Sequence, residues 1–256
     1  QKLDPYNGQA SDVVKRLKEN KQGRANPSPQ QPTLAQMEQA VQDHPTDFQA
    51  AFNLAAAYLQ VQQPARALEV LDRVLNHPQA EANAFRALLQ AYTSLNNSSG
   101  LERTVAKLEA LVRVNPADFS AALGLAEGYR ALQKPEAAIR TLDQVVSHPQ
   151  VDANTVAQAA QQYAAMTNHQ KLAGALDQLT KLKPESPEVW YDVAALRAVL
   201  GKSQEAMPAL LRAIELSTQR LKQDPKARDL QAAALQDSRF DSLRQLPEFK
   251  QLTAPR

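Results

Sequence analysis

Tyr58, Tyr92, Tyr129, Tyr163 and Arg197 recur at intervals of 34, 37, 34 and 34 residues. Each closes the same apolar frame. The first half of that frame reads Ala51-x2-Leu54-Ala55-x2-Tyr58, Phe85-x2-Leu88-Leu89-x2-Tyr92 and Ala122-x2-Leu125-Ala126-x2-Tyr129. It returns as Val156-x2-Ala159-Ala160-x2-Tyr163 and Trp190-x2-Val193-Ala194-x2-Arg197. The second half runs Ala67-x3-Leu71 then Pro78, Thr104-x3-Leu108 then Pro116, and Ala138-x3-Leu142 then Pro149. It continues with Leu172-x3-Leu176 then Pro184, and with Gly201 and Ala206-x3-Leu210-x2-Ala213. Spacings of three and four put these apolar residues on one face of a helix. One helical hairpin is therefore written about five times over.

The pattern resembles the tetratricopeptide repeat, with W-x2-L-G-x2-Y, then A-x3-F, then P, in about 34 residues. The likeness covers roughly residues 33–216. It implies an all-α, right-handed α-solenoid of about five hairpins, near 47–80, 82–116, 118–151, 153–184 and 187–216. A degenerate half-unit would precede the first, with Leu34-Ala35-Gln36-Met37-Glu38-Gln39-Ala40-Val41 as its surviving second helix. On this reading residues 1–32 are an N-terminal helix and a Pro-rich linker, 33–216 the array, and 217–256 a C-terminal helical cap. The departures are local. Ala or Leu stands for the small Gly of the first helix, and Arg197 for the last Tyr. Three additional residues near Ser98, Ser99 and Gly100 are expected to lengthen the second turn.

Physical reasons follow for each position. Ala55, Ala126, Ala160 and Ala194 recur where paired helices approach closely, and a larger side chain would push them apart. Proline after each second helix stops it, because it has no N–H to continue the ladder. A lone hairpin cannot bury its apolar stripe, so neighbours must stack. A longer period overlies the short one: Asp47-Phe48, Pro64, Leu71-Asp72, His77-Pro78-Gln79 and Ala82-Asn83 return 71 residues later. They reappear as Asp118-Phe119, Pro135, Leu142-Asp143, His148-Pro149-Gln150 and Ala153-Asn154. Duplication of a two-hairpin block explains this, and a partner with a matching repeat would meet the same patch twice.

Little chemistry is written in the chain. It has no cysteine, which removes disulfides, thiolate catalysis and thiolate-held metals. His44, His77, His148 and His169 lie in different units, and three of them precede proline or end a second helix. There they read as turn residues whose partly charged rings suit the carboxyl-end dipole. No metal spacing, phosphate-cradling loop or nucleophile motif is present. No enzyme activity and no cofactor or metal are expected. A net charge of +2 over 256 residues gives no field that points to nucleic acid. The basic run Lys15-Arg16-Leu17-Lys18 is interrupted by Glu19 and reads as a solvated helix face. No apolar run approaches the roughly 18 residues that cross a bilayer, so no membrane insertion of this segment is expected. Nothing sets the oligomeric state.

Both ends carry signals. Leu3-Asp4-Pro5-Tyr6-Asn7 resembles the closing turn of another repeat, and Ser11 suits the N-cap of a helix over 11–17. A larger protein is the expected source of what precedes Gln1. At the other end, Asp237, Arg239, Phe240 and Leu243 resemble the D-x-R-F-x-x-L cap of many bacterial repeat arrays. An array needs such a cover for its last apolar face.

In the family, the first helices line the concave face. Carried over, its exposed positions are Gln49, Phe52, Asn53 and Leu59 in the first unit, and Arg86, Gln90 and Thr93 in the second. The third gives Leu123, Glu127 and Arg130, the fourth Gln158 and Gln161, and the fifth Glu188, Tyr191 and Asp192. Amides suit backbone recognition, while Phe52, Leu59, Leu123 and Tyr191 are possible anchors. The carboxylate clamp of chaperone adaptors is not reproduced, since Phe52 and Ala56 stand where it needs Lys and Asn. The resemblance thus implies a non-catalytic scaffold that binds a peptide or partner domain on the concave surface. A weaker likeness, to soluble C-terminal arrays of larger glycosyltransferase-like membrane proteins, implies an accessory tail in a periplasmic or extracytoplasmic setting. A glycan- or lipid-binding solenoid is the third reading, on the alanine-lined fourth and fifth units.

Overall fold

The structure, a computed structural model, describes residues 32–254. The expected helix over 11–17, the basic run and most of the Pro-rich linker lie outside them. Among the described residues every regular element is helical. In chain order these are α1 (Leu34–Asp43), α2 (Phe48–Gln60), α3 (Pro64–Asn76), α4 (Ala82–Ser94) and α5 (Ser98–Val114). Next come α6 (Phe119–Ala131), α7 (Pro135–Ser147), α8 (Ala153–Ala165), α9 (His169–Leu182), α10 (Pro187–Val199) and α11 (Ser203–Gln223). The chain ends with α12 (Leu230–Gln236), a 3-10 segment (Ser238–Leu243) and α13 (Pro247–Leu252).

One turn joins the two helices of every hairpin. Gln62, Asn96, Gln133, Thr167 and Gly201 each take a positive φ, between 52° and 73°. The following amide then closes the turn onto the residue that defines the repeat. Gln63 N donates to Tyr58 O at 2.8 Å, Asn97 to Tyr92 at 2.9 Å, and Lys134 to Tyr129 at 2.8 Å. Asn168 does the same to Tyr163 at 3.0 Å and Lys202 to Arg197 at 2.8 Å. These bonds satisfy carbonyls that the ending helix would otherwise leave open.

The second turn is therefore not lengthened. Residues 95–97 form it, as 61–63 form the first, and Ser98–Gly100 open α5 instead. The additional residues sit at the far end of α5, which has 17 residues against 13 in α3. Leu101, Thr104, Val105 and Leu108 thereby take the buried places that Ala67, Val70, Leu71 and Val74 hold in α3.

Contacts gather into two compact units, residues 1–111 and 112–256, where the repeat pattern alone predicts one array. The division falls inside the long α5. In the first unit Leu54, Ala55, Tyr58, Leu71, Leu75, Leu88 and Tyr92 are all buried. In the second, one cluster runs from Ala122 and Ala126 through Tyr163, Ala194 and Leu210 to Phe240 and Phe249. Ala126 and Ala194 are fully buried, which fits close helix approach there.

The 71-residue period has a structural counterpart. Phe48 meets His77 edge-on with centroids 5.3 Å apart, and Phe119 meets His148 the same way at 5.1 Å. Each histidine caps the C-terminus of its helix, and its Nδ1 accepts the backbone N–H two residues on, Gln79 or Gln150, at 3.2 Å. His44 caps α1, whereas His169 begins α9.

Candidate binding surface

In the first, second, fourth and fifth hairpins the repeat-defining side chain ties the hairpin to the helix before it. The Tyr58 hydroxyl donates to Glu38 of α1. Tyr92 donates to Asp72 at 2.5 Å and Tyr163 to Asp143 at 2.7 Å. A cation from the second helix joins each: Arg66 on Glu38, Arg103 on Asp72, and Lys171 on Asp143. Burial and the neighbouring carboxylate both push the Tyr92 and Tyr163 hydroxyls well above the ordinary phenol range. They remain neutral donors. In the last hairpin the roles are exchanged. Arg197 supplies the cation to Asp177 at 3.1 Å, and Glu205 replaces the cation of the other hairpins, 3.6 Å from Arg197.

The positions carried over on α2, α4, α6, α8 and α10 differ in exposure. Asn53, Leu59, Gln90 and Thr93 are exposed in the first unit, with Gln49, Phe52 and Arg86 half-buried. In the second unit Gln161 is exposed, and Glu127, Arg130 and Gln158 are half-buried. Two expected anchors are not on the surface. Leu123 is only 2% exposed, covered by α8, whose Gln162 Nε2 donates to the Leu123 carbonyl at 3.0 Å. Tyr191 is also 2% exposed. The 3-10 segment covers it: Phe240 packs edge-on at 5.1 Å, and Asp237 accepts its hydroxyl at 3.1 Å. Asp192 is exposed yet engaged by Arg239 at 3.3 Å, and Glu188 is paired with Arg220 at 2.5 Å. Of the proposed surface, then, the fifth unit's share belongs to contacts with the C-terminal segment and α11. Trp190 is half-buried and its Nε1 donates to Pro184 O at 2.8 Å.

A groove of about 270 Å³ opens between α2 and α4 in the first unit. Phe52, Ala84 and Ala87 supply its apolar part, with Phe48. Gln49, Gln79 and Asn83 bring amides, Thr46 a hydroxyl, and Asp47 and Glu81 carboxylates. Gln49 and Phe52 were legible as surface positions; Asn83, Ala84 and Ala87 were not. A second hollow, about 540 Å³ and shallow, lies on α11 beside Leu252, lined by Leu211, Thr218 and Lys222.

Among the described residues no group of three or more His, Cys, Asp or Glu could hold a metal. No described helix is long and apolar enough to cross a membrane.

Residues 28–101 match the tetratricopeptide repeat family. No curated relative matches the sequence. Among solved structures, MamA from Desulfovibrio magneticus RS-1 is similar at 18% identity, with a TM-score of 0.42 over 69% of this chain and 97% of that one. YrrB, described as a TPR protein with an unusual peptide-binding site, is similar at 17% identity, TM-score 0.41, over 78% and 98%. The family match covers the first hairpins, and the same closing turn recurs beyond them at Tyr129, Tyr163 and Arg197.

Proposed function

We propose that this chain is a non-catalytic scaffold that holds a peptide or partner segment along the free faces of its first helices. The groove between α2 and α4 supports this reading most directly, because it combines an apolar floor with several amides at its edge. Side-chain pockets beside hydrogen-bonding groups are what an extended peptide needs. The ties at the repeat-defining positions hold the helices in place, so binding costs little reordering. A glycan or lipid reading would want apolar anchors in the later units, and Leu123 and Tyr191 are inside the core. The peptide reading is the better supported.

The test is chemical cross-linking of a partner captured from the source cell. Cross-links should map to α2, α4, α6 and α8. Cross-links confined to α3, α5, α7 and α9 would overturn the proposal.

A further inference from the structure

The duplicated block sets two versions of one groove side by side in sequence, and they have diverged in a directed way. Asp47, Phe48, Gln79 and Asn83 have identical counterparts in Asp118, Phe119, Gln150 and Asn154. The differences fall on the floor, on one carboxylate, and on Thr46 and Gln49, whose counterparts are Ala117 and Ser120. Where the first block has Ala84 and Ala87, the second has the bulkier Thr155 and Gln158. Thr155 is buried there. Where the first has Glu81, the second has Asp152, whose carboxylate is spent as the α8 cap, accepting Thr155 N at 2.7 Å. Glu81 precedes α4 in the same place but makes no side-chain cap bond. Its longer arm leaves the carboxylate at the groove's edge. No lysine or arginine lines that groove.

We propose that the groove of the first block docks a peptide segment with one apolar side chain next to a lysine or arginine. The apolar group seats on Phe52, Ala84 and Ala87, and the cation faces Glu81, since Asp47 is engaged as the α2 cap, accepting Ala50 N at 2.9 Å. This rests on the scaffold reading and narrows it. The second block keeps the frame without the open floor or the free acid, so the docking is single rather than repeated.

The full chain is panned against a displayed library of short random peptides, and binding of the enriched peptides is measured by fluorescence anisotropy. Enrichment of an apolar residue beside Lys or Arg is expected. Ala87→Gln, which writes the second block's residue into the first, should weaken those peptides by about tenfold or more, as loss of an anchor pocket does. Glu81→Lys, at an exposed position, should turn selection away from basic peptides. Unchanged thermal melting shows that both variants fold. Peptides that bind Ala87→Gln as well as wild type sink the groove but leave the scaffold standing. An enriched set without basic residues also overturns the proposal, and no enrichment at all overturns both readings. Self-association that Ala87→Gln abolishes, seen by sedimentation, would assign the groove to a second copy and refute a peptide occupant.

Discussion

Four of the five hairpin turns hold an L-residue where backbone sterics favour glycine, and Gly201 alone is unstrained. Left-handed backbone costs an L-residue about 1–2 kcal/mol, least for Asn. Thr167, at φ 56°, is the worst placed because it is β-branched. Thr167→Gly should therefore stabilise the fold by about 0.5–1 kcal/mol, the strain relieved less the added freedom of the unfolded chain. A higher urea midpoint checks it, and a lower one would show that the turn carries no strain. Gly100 is the opposite case. A Cβ there would lie 2.3 Å from the Tyr92 ring. Gly100→Ala should destabilise by about 1–3 kcal/mol, as overpacking does. Sequence reading misplaced this glycine in a loop, because Ser-Ser-Gly after two asparagines has turn composition. What it lacked was the turn itself, since Gln62, Gln133 and Thr167 give no glycine signal for a left-handed residue.

Helices were the most legible level, since each carries its apolar stripe within a single unit of the repeat. The substitution of Arg197 for tyrosine reads as a defect only while the helix is viewed alone. Across three helices it is an exchange of charge, with Glu205 taking the place of Lys171. Arg197→Tyr alone should leave Asp177 without its cation and Glu205 with Lys202 only, and destabilise the hairpin. Adding Glu205→Lys should restore the arrangement of the preceding hairpin. These pairs are partly exposed, so a double-mutant cycle should return a coupling of only about 0.5–1 kcal/mol. Additive effects would show that the exchange is incidental. The misplacement of Tyr191 belongs to this level too. The family resemblance assigns it to the concave face, and only a segment 46 residues on, bearing Asp237, brings it inside.

Over the whole chain, the repeated frame marked the hairpins and the recurring residues marked the 71-residue period, but not the division into two compact units inside α5. The C-terminal segment can be argued further. Leu230, Ala234, Phe240, Leu243 and Phe249 are all buried. Phe240→Ala should cost about 3–5 kcal/mol, and removal of everything after Gln223 should lower both melting temperature and solubility. Asp237 adds a pH signature. The Arg239 guanidinium, bound at 2.7 Å, holds its carboxyl down to about 2 from an ordinary 3.8. A depressed carboxylate stabilises the fold above its unfolded value, and that share disappears as pH falls through the folded one. A carboxyl held that far down stabilises the fold by roughly 2 kcal/mol near neutrality. Asp237→Asn should lose about that much near neutrality, and the gap to wild type should close as pH drops from about 4 toward 2. A gap that persists at low pH would mean that Asp237 holds the segment by geometry rather than by charge.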